Sequence, residues 1–453
     1  MKPVIASVNE IVWGAPALIL ILGVGLYLSI RLGFAQFTLF PEALRHFLRQ
    51  FLPGKNKNEA SSFRALCAAL AATVGTGNLV GVAGAICLGG PGAVFWMWVC
   101  GFLGMVTKFA EVTLAVRYRV RTPEGFTGGP MYTITQGLPQ RFHGLAYIYA
   151  VFGVVASFGV GNVTQVHAAL TGIREFCGVI GWNPGRIWDL FLTIVFATMI
   201  GLFLFGGAKR IYSVAEGLMP VAAAGYILLC VGVLCFRWQA LPDAFLRIIR
   251  GAFSPAAVTG GVIGSGFQAL RVGCSRGVFT NEAGMGTAGI AHSGAEGISP
   301  VRQGLMGIIE VFLDTIVIST LTALVILVSG VPVPYGVDAG AHLTSQAFSL
   351  VYGPGATLWL AAIMTLLAVA AVIGWGLYGA RCLEFLLGVA CWRYFAAAQV
   401  LAVVAGSFLE TPVVWLLAET CNGLMAIPNL IALALLTSEV CRLTKEYKNT
   451  GEF

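Results

Sequence analysis

The chain is predicted to be an all-α polytopic membrane protein, and three observations predict it. Hydrophobic residues make up 58% of the 453 residues and charged ones only 10%, against about 25% charged in an ordinary soluble domain. Apolar runs of about 18 residues or more recur along the length, each long enough to cross a hydrocarbon core of roughly 30 Å as a helix. Two of these runs are interrupted by glycine-rich, hydrogen-bonding segments at matching places, "GTGN" at 75–78 and "TGGVIGSGFQALRVG" at 259–273.

The first apolar run, 11–30, has no substantial basic segment before it and no A-x-A site after it, so it is read as a retained helix rather than a signal peptide. Ten further spans are expected near 63–88, 92–116, 145–170, 187–206, 213–235, 256–275, 303–329, 356–379, 391–409 and 412–436. Eleven spans place the termini on opposite sides. The interruptions fall in the second and seventh spans, so 63–235 and 256–436 read as two five-helix repeats of opposite orientation within one transmembrane domain, with 11–30 as an extra helix in front.

Lysine and arginine accumulate in cytoplasmic loops. If the loop after the first span is cytoplasmic, that side collects twenty of them, Arg271 and Arg276 included, and the other side six. The amino terminus is therefore expected outside and the carboxyl terminus in the cytoplasm. The same bias accounts for the net charge of +7, so it implies no nucleic-acid partner. Eleven cysteines without a C-x-x-C pair read as small packing residues rather than disulfides or a zinc site.

The interrupted spans carry the chemistry. Unwound backbone is tolerated in hydrocarbon only where protein or a water-filled cavity receives it. A half-helix starting at Gly77 and Asn78 points free N–H groups and the positive end of its dipole at the gap, which suits a carboxylate. Carbonyls of the preceding half-helix, Ala71 to Val74, suit a small cation or an ammonium group. The alternative is that Gly77 and Gly81 form a close-packing face. The fourth span adds Asn162, Gln165 and His167; Asn162 and Gln165 share a face, either to touch a ligand or to bond across helices. Lys108 with Glu111, and Glu310 with Asp314, are intramembrane charges and so functional candidates; the first two are expected to form a structural ion pair.

Other chemistries do not fit. "GCSRG" at 273–277 matches G-x-S-x-G, but a nucleophile elbow needs a strand-to-helix turn, and Ser275 follows a membrane helix. The five histidines lack metal-ligand spacing, and "GTGNLVG" lacks the strand context of a dinucleotide site. No enzyme activity, cofactor or transition metal is expected.

The stretches "GTGNLVGVAGAICLGGPGAVFWMWV" (75–99), "GGPMYTITQGL" (128–138), "RGVFTNEAGMGTAGIAHS" (276–293) and "GWGLYGARCLEFLLG" (374–388) resemble the alanine/glycine:cation symporter family of the amino acid-polyamine-cation superfamily. The resemblance implies a LeuT-like fold with a 5+5 inverted repeat plus one extra helix. It also implies sodium-coupled uptake of alanine or glycine across a bacterial inner membrane. Carried over, it implies substrate contacts at Thr76, Gly77, Gln165 and Trp375, with Gly266 and Phe267 opposite. The cation is implied at the backbone carbonyls of Ala71 and Val74, with Thr73 nearby. Phe267 facing lipid and Trp375 as core packing are the alternatives.

One departure bears on coupling. Many relatives read Ser-Thr-x-x-Gly-Trp where this chain reads "AAVIGW", so Ala370 and Ala371 lack the usual hydroxyls, and sodium prefers oxygen donors. Proton coupling, exchange or a larger substrate are the consequences to consider. In the loop "NEAGMG", Asn281 and Glu282 are either part of a cytoplasmic gate or a solvated cap. The expected function is symport of a small neutral amino acid with Na+, or alternatively H+, across the lipid bilayer by alternating access; a channel or transport-like sensor is the competing class.

Overall fold

The computed structural model describes residues 9, 12–51, 57–123, 125–183, 185–338, 340–407 and 411–450. Helices of six residues or more are numbered in chain order. The first span is α1 (Ala15–Arg31), with Pro16 in its first turn, where a missing N–H costs nothing. An amphipathic helix α2 (Phe40–Arg49) follows. The second span is α3 (Lys57–Thr73), a π-turn Gly77–Gly81, and α4 (Val82–Gly89); the two halves bend by 49°.

Then come α5 (Gly92–Arg117), α6 (Pro130–Gly137), α7 (His143–Phe158), a second π-turn Gly159–Val163, α8 (Thr164–Val179), α9 (Arg186–Leu204) and α10 (Gly207–Phe236). Between α5 and α6 lies a small antiparallel hairpin, β1 (Val120–Thr122) and β2 (Gly125–Thr127), with Arg121 opposite Phe126. The second half comprises α11 (Leu241–Phe253), α12 (Gly266–Asn281), α13 (Thr287–His292), α14 (Pro300–Val311), a π-turn Phe312–Ser319, α15 (Thr320–Ser329), α16 (Gly340–Tyr352), α17 (Ala356–Leu387), α18 (Trp392–Gly406) and α19 (Thr411–Thr450).

Among the described residues, eight helices are long and apolar enough to cross a membrane, or nine with the bent α3–α4 pair. Of the eleven expected spans, the first appears as a shorter apolar helix, Pro16–Arg31, and the seventh falls outside the set. The seventh is cut short at both ends by glycines in the left-handed region, Gly260 and Gly261 before α12 and Gly284 and Gly286 after it.

Two long helices form the interior. α5 packs along α12 and α14, and α17 along α7, α8 and α10; about the periphery, α9, α10 and α18 leave most of their apolar surface facing outward. That is how a helix meets lipid on one side and protein on the other. The interior seam is close: a Cβ on Gly273 of α12 would lie 2.3 Å from the Ala93 carbonyl oxygen of α5, so the two backbones touch as small residues permit. Arg119 stacks over Phe126 at 4.1 Å and donates to the Ser293 carbonyl at 3.1 Å and to the Ala295 carbonyl, pinning the segment after α13 to the hairpin.

Candidate substrate and cation site

The break in the second span is visible in its hydrogen bonds. Gly75 N–H turns back to Thr73 O at 3.0 Å, Thr76 N–H goes to Gln165 Oε1 at 3.3 Å, and Asn78 N–H goes to Gly75 O at 3.3 Å. A continuing helix would have sent these three amides to Ala71, Ala72 and Val74. Those carbonyls lose their helical donors. Gln165 spans two irregular backbones at once. Its Oε1 also accepts from the Thr76 hydroxyl at 2.8 Å, while its Nε2 donates to Val160 O, inside the π-turn of α7–α8, at 3.1 Å.

A cavity of about 100 Å³ opens against this break, room for about three waters and so on the scale of a small amino acid. Thr76, Gly77 and Gly81 line one side, Gln165 and Ala168 another, and Phe279 of α12 faces them. Across one end, Arg276 meets Asp338 at 3.5 Å. A Cβ at Gly77 would touch the Phe279 ring at 3.8 Å, and one at Gly81 the Thr280 methyl at 3.9 Å. These are ordinary contacts, so helix packing does not require glycine at either position.

Beside the cavity lies a fully buried polar knot. Asn78 Nδ2 donates to Asp314 Oδ1 at 2.7 Å, to the Asp314 carbonyl at 3.2 Å and to Ser319 Oγ at 3.2 Å. Asp314 Oδ2 accepts from Thr315 Oγ1 at 2.8 Å, which accepts from Asn281 Nδ2 at 3.1 Å. Asn78 Oδ1 is buried with no hydrogen-bond partner among the described residues. An unpaired amide oxygen next to a carboxylate and hydroxyls is a donor set suited to a hard cation. The three elements that build it are the π-turn after the break, the end of α12 and the π-turn after α14. Asn78 appeared above only as the start of a half-helix and Asp314 only as an intramembrane charge; nothing local in the sequence pairs residues 236 apart.

The glycines of 259–273 do interrupt the chain, but they do not bring Gly266 and Phe267 to the cavity lining. Gly266 and Phe267 open α12 at its far end, where Ser265 Oγ caps Phe267 N–H at 3.2 Å, and Phe267 is 61% exposed. The cavity lies at the other end of α12, about 20 Å away along a helix of this length. The chain is irregular at 260–265, before α12, and again at 282–286, beyond its other end, where Glu282, Gly284 and Gly286 all have positive φ. Glu111 of α5 holds this loop: its Oε1 accepts from Gly284 N–H at 2.8 Å, Gly286 N–H at 3.1 Å and Asn429 Nδ2 at 2.7 Å. Among the described residues the expected Lys108–Glu111 ion pair does not form; Lys108 reaches across to Glu310 instead, at 3.0 Å.

The remaining expected residues fall as follows. Trp375 is buried but outside the cavity lining; it packs on Gly161, where a Cβ would come within 2.1 Å of the Trp375 Cβ, and edge-on to Tyr378. Thr73 bonds its own helix at Ala69 O, 3.2 Å. Ala370 and Ala371 are fully buried, and the Ala371 methyl lies 3.4 Å from a Cβ placed on Gly75. Asn162 bonds across to Gln399, the helix-to-helix alternative. His167 is half-buried and outside the cavity lining. Asn281 and Glu282 are 1% and 3% exposed, which rules out a solvated cap; Glu282 Oε2 accepts from Thr287 Oγ1 at 2.6 Å. Ser275 sits within helix α12, not at a strand-to-helix turn. Arg271 and Arg276 also lie on α12 rather than in a basic loop, which narrows the charge asymmetry without reversing it.

At the Lys/Arg-rich end a larger cavity of about 700 Å³ is lined by Lys57, Ser61 and Arg64 of α3, Tyr212 of α10, Glu296 and Arg381.

Comparison with known proteins adds the following. A family model described as the sodium:alanine symporter family matches residues 1–452. A sodium/alanine symporter of Methanococcus maripaludis is 39% identical over 97% of this chain and 96% of its own length. A probable sodium/glutamine symporter of Bacillus subtilis is 36% identical over 99% and 91%. An uncharacterized transporter of Haemophilus influenzae is 41% identical over 99% and 96%. The crystal structure of MhsT in complex with L-phenylalanine superposes with a TM-score of 0.60 at 14% identity, covering 82% of this chain and 88% of that one, which shows a LeuT-like fold.

Proposed function

The chain belongs to the sodium:alanine symporter family and is a multi-pass membrane transporter, not an enzyme, and from that premise we propose that it carries a small neutral amino acid, alanine or glycine, by cation-coupled symport. The single observation that supports this is the roughly 100 Å³ cavity set against a broken helix.

The zwitterion's carboxylate meets the amide end of the half-helix at Thr76 and Gly77, with Gln165 closing over it, where backbone N–H groups and the helix dipole favour negative charge. Sodium is the first choice of coupling ion. Oxygen for it comes from the freed carbonyls of Ala71 and Val74 and from Asn78 Oδ1 beside Asp314. Cation and substrate then favour the same closed conformation, and coupling is their difference in affinity between states. Rocking of one bundle against the rest gives alternating access, with Arg276–Asp338 over the outer side and the basic cavity on the cytoplasmic side. The placement is a bacterial inner membrane, amino terminus outside.

A second reading, proton coupling or exchange, is favoured by the Ala371 methyl beside Gly75, a position that carries no hydroxyl. Uptake of labelled alanine, glycine and larger neutral amino acids into proteoliposomes, with sodium and pH gradients imposed separately, tests both. Uphill accumulation that follows the sodium gradient supports the first reading. Accumulation driven by pH alone selects the second, and movement without accumulation under either gradient refutes symport.

A further inference from the structure

Away from the site above, a groove of about 540 Å³ runs along the periphery between α9 and α18. Ile194, Ala197, Gly201 and Phe205 of α9 form one wall, and Val400 and Val404 of α18 the other. Steps of three and four residues keep each set on one helix face. The helices meet at Gly201, where a Cβ would lie 3.2 Å from Val400 Cγ2. They meet again at one end, where Trp392 Nε1 donates to Leu204 O at 2.8 Å. At 1.5 Å per residue, the wall from Ile194 to Phe205 is about 16 Å long. That is half of a hydrocarbon core of roughly 30 Å, the depth of one leaflet. A partner's transmembrane helix would need twice that length, whereas a single acyl chain fits it.

The Leu204 end of the groove is polar. Arg210 of α10 lines it, and its side chain lies back over Gly206, where a Cβ would fall 2.1 Å from Arg210 Cδ. Only a residue without a side chain at 206 lets the arginine lie there. Among the described residues the Arg210 guanidinium makes no ion pair. α10 starts beside it at Gly207 with no side-chain cap, and the positive end of a long helix favours a negative group. Arg393, in the first turn of α18, adds positive charge at the same end. Over residues 190–216 and 389–406 the sequence has one carboxylate, Glu216, and it pairs with Arg64 at 2.7 Å. A zwitterionic headgroup would bring an ammonium in search of a carboxylate, and these segments have none free. Lys209, the neighbour of Arg210, lines the 700 Å³ cavity instead.

We propose that the α9–α18 groove binds an anionic phospholipid from the leaflet on the Lys/Arg-rich side, with one acyl chain between the two helices and the phosphate on Arg210. The chemistry is that of an amphiphile: hydrocarbon walls one leaflet deep, then an unpaired guanidinium where the headgroup would sit. Charge selects the headgroup, and the length of the slot selects a chain.

Photolabelling of the purified full-length protein tests this. The protein is placed in phosphatidylethanolamine vesicles carrying a trace of either phosphatidylglycerol or phosphatidylethanolamine with a diazirine in one acyl chain. Labelling at residues 194–205 and 400–404 is divided by labelling at Ile19 and Leu26, exposed residues of α1, which cancels differences in probe amount. One arginine at the membrane surface favours an anionic lipid about fivefold, so the ratio should be about fivefold higher for phosphatidylglycerol. In Arg210→Gln it should fall to the phosphatidylethanolamine value, and in Lys209→Gln it should stay high. Thr198 is an exposed residue of the lining, so Thr198→Trp should fold, fill the slot and bring labelling of 400–404 down to the α1 level. Equal ratios for the two lipids, or an undiminished ratio in Arg210→Gln, overturns the proposal. Equal losses in Arg210→Gln and Lys209→Gln overturn it too, because they mark diffuse surface charge. So does a groove that neither lipid labels and that crosslinks to a second copy of the chain.

Discussion

Glu111 offers the sharpest test of how the second interruption is held. One carboxylate oxygen collects two loop amides and the Asn429 side chain, at 3% exposure. A hydrogen bond to a charged group contributes about 1.5–3 kcal/mol, against about 0.5–1.5 for a neutral one. Glu111→Gln keeps an oxygen acceptor but loses the charge, at about 1 kcal/mol per bond and so about 3 kcal/mol in all. Glu111→Ala strands three buried donors at about 1–3 kcal/mol each, a large part of the roughly 5–15 kcal/mol that holds a typical protein folded. Glu111→Gln should therefore lower the midpoint of thermal unfolding in detergent by about 5 °C and weaken amino-acid uptake, because the same loop follows Thr280 and Asn281. Glu111→Ala should yield little folded protein. A melting midpoint for Glu111→Ala within a degree of the wild type would refute the clamp, since three unpaired donors in a dry interior carry a cost that no rearrangement of so confined a loop removes.

Other substitutions probe the site and the periphery. Gln165→Ala strands the buried Thr76 amide and hydroxyl, so equilibrium binding of labelled alanine should weaken at least about tenfold, from the 1–3 kcal/mol cost of an unpaired donor; unchanged affinity in this variant and in Gly77→Val together rejects the pocket. Gly77→Val should fold, because its Cβ meets Phe279 at an ordinary 3.8 Å, yet should fill the cavity. Ala371→Ser adds one oxygen beside Gly75 and should lower the sodium concentration needed for half-maximal uptake; an unaltered sodium dependence removes that position from the ion's surroundings. His46, on α2 outside the spanning helices, is pushed down to about 4 by burial and then by Arg302. Since the unfolded chain binds this proton near pH 6.5 and the folded chain does not, stability present above 6.5 is lost as pH falls toward 4, by at most about 3 kcal/mol. Melting midpoints between pH 7 and 4.5 should fall more steeply for the wild type than for His46→Leu, and parallel curves would dismiss the effect.

The resemblance read from four motifs anticipated the family, and the first break was legible because "GTGN" is a local signal. Gly75 and Gly77 lower helix propensity within an otherwise apolar run. The second break shows where local reading stops. The seventh span reads as 256–275 with its interruption in the glycines of 259–273, and the second glycine-rich stretch, 282–286, reads as the loop after it. It is the second that is held from afar, because Glu111 and Asn429, 173 and 145 residues away from Gly284, supply the partners its peptide groups need. The "NEAGMG" segment carried a signal in its paired glycines, but not its location relative to the cavity.

By itself the sequence determined that this chain spans a membrane many times, roughly where, and that its second span is discontinuous. Hydrophobic transfer and helix propensity act residue by residue along a segment, so they survive without knowledge of the rest. Only the tertiary structure decided that Lys108 answers to Glu310, that Asn78 meets Asp314, that Trp375 stands behind Gly161 and that Phe267 faces away. Each of these is a bond or contact between distant segments, and a buried polar group is satisfied by whichever partner packing brings within about 3 Å.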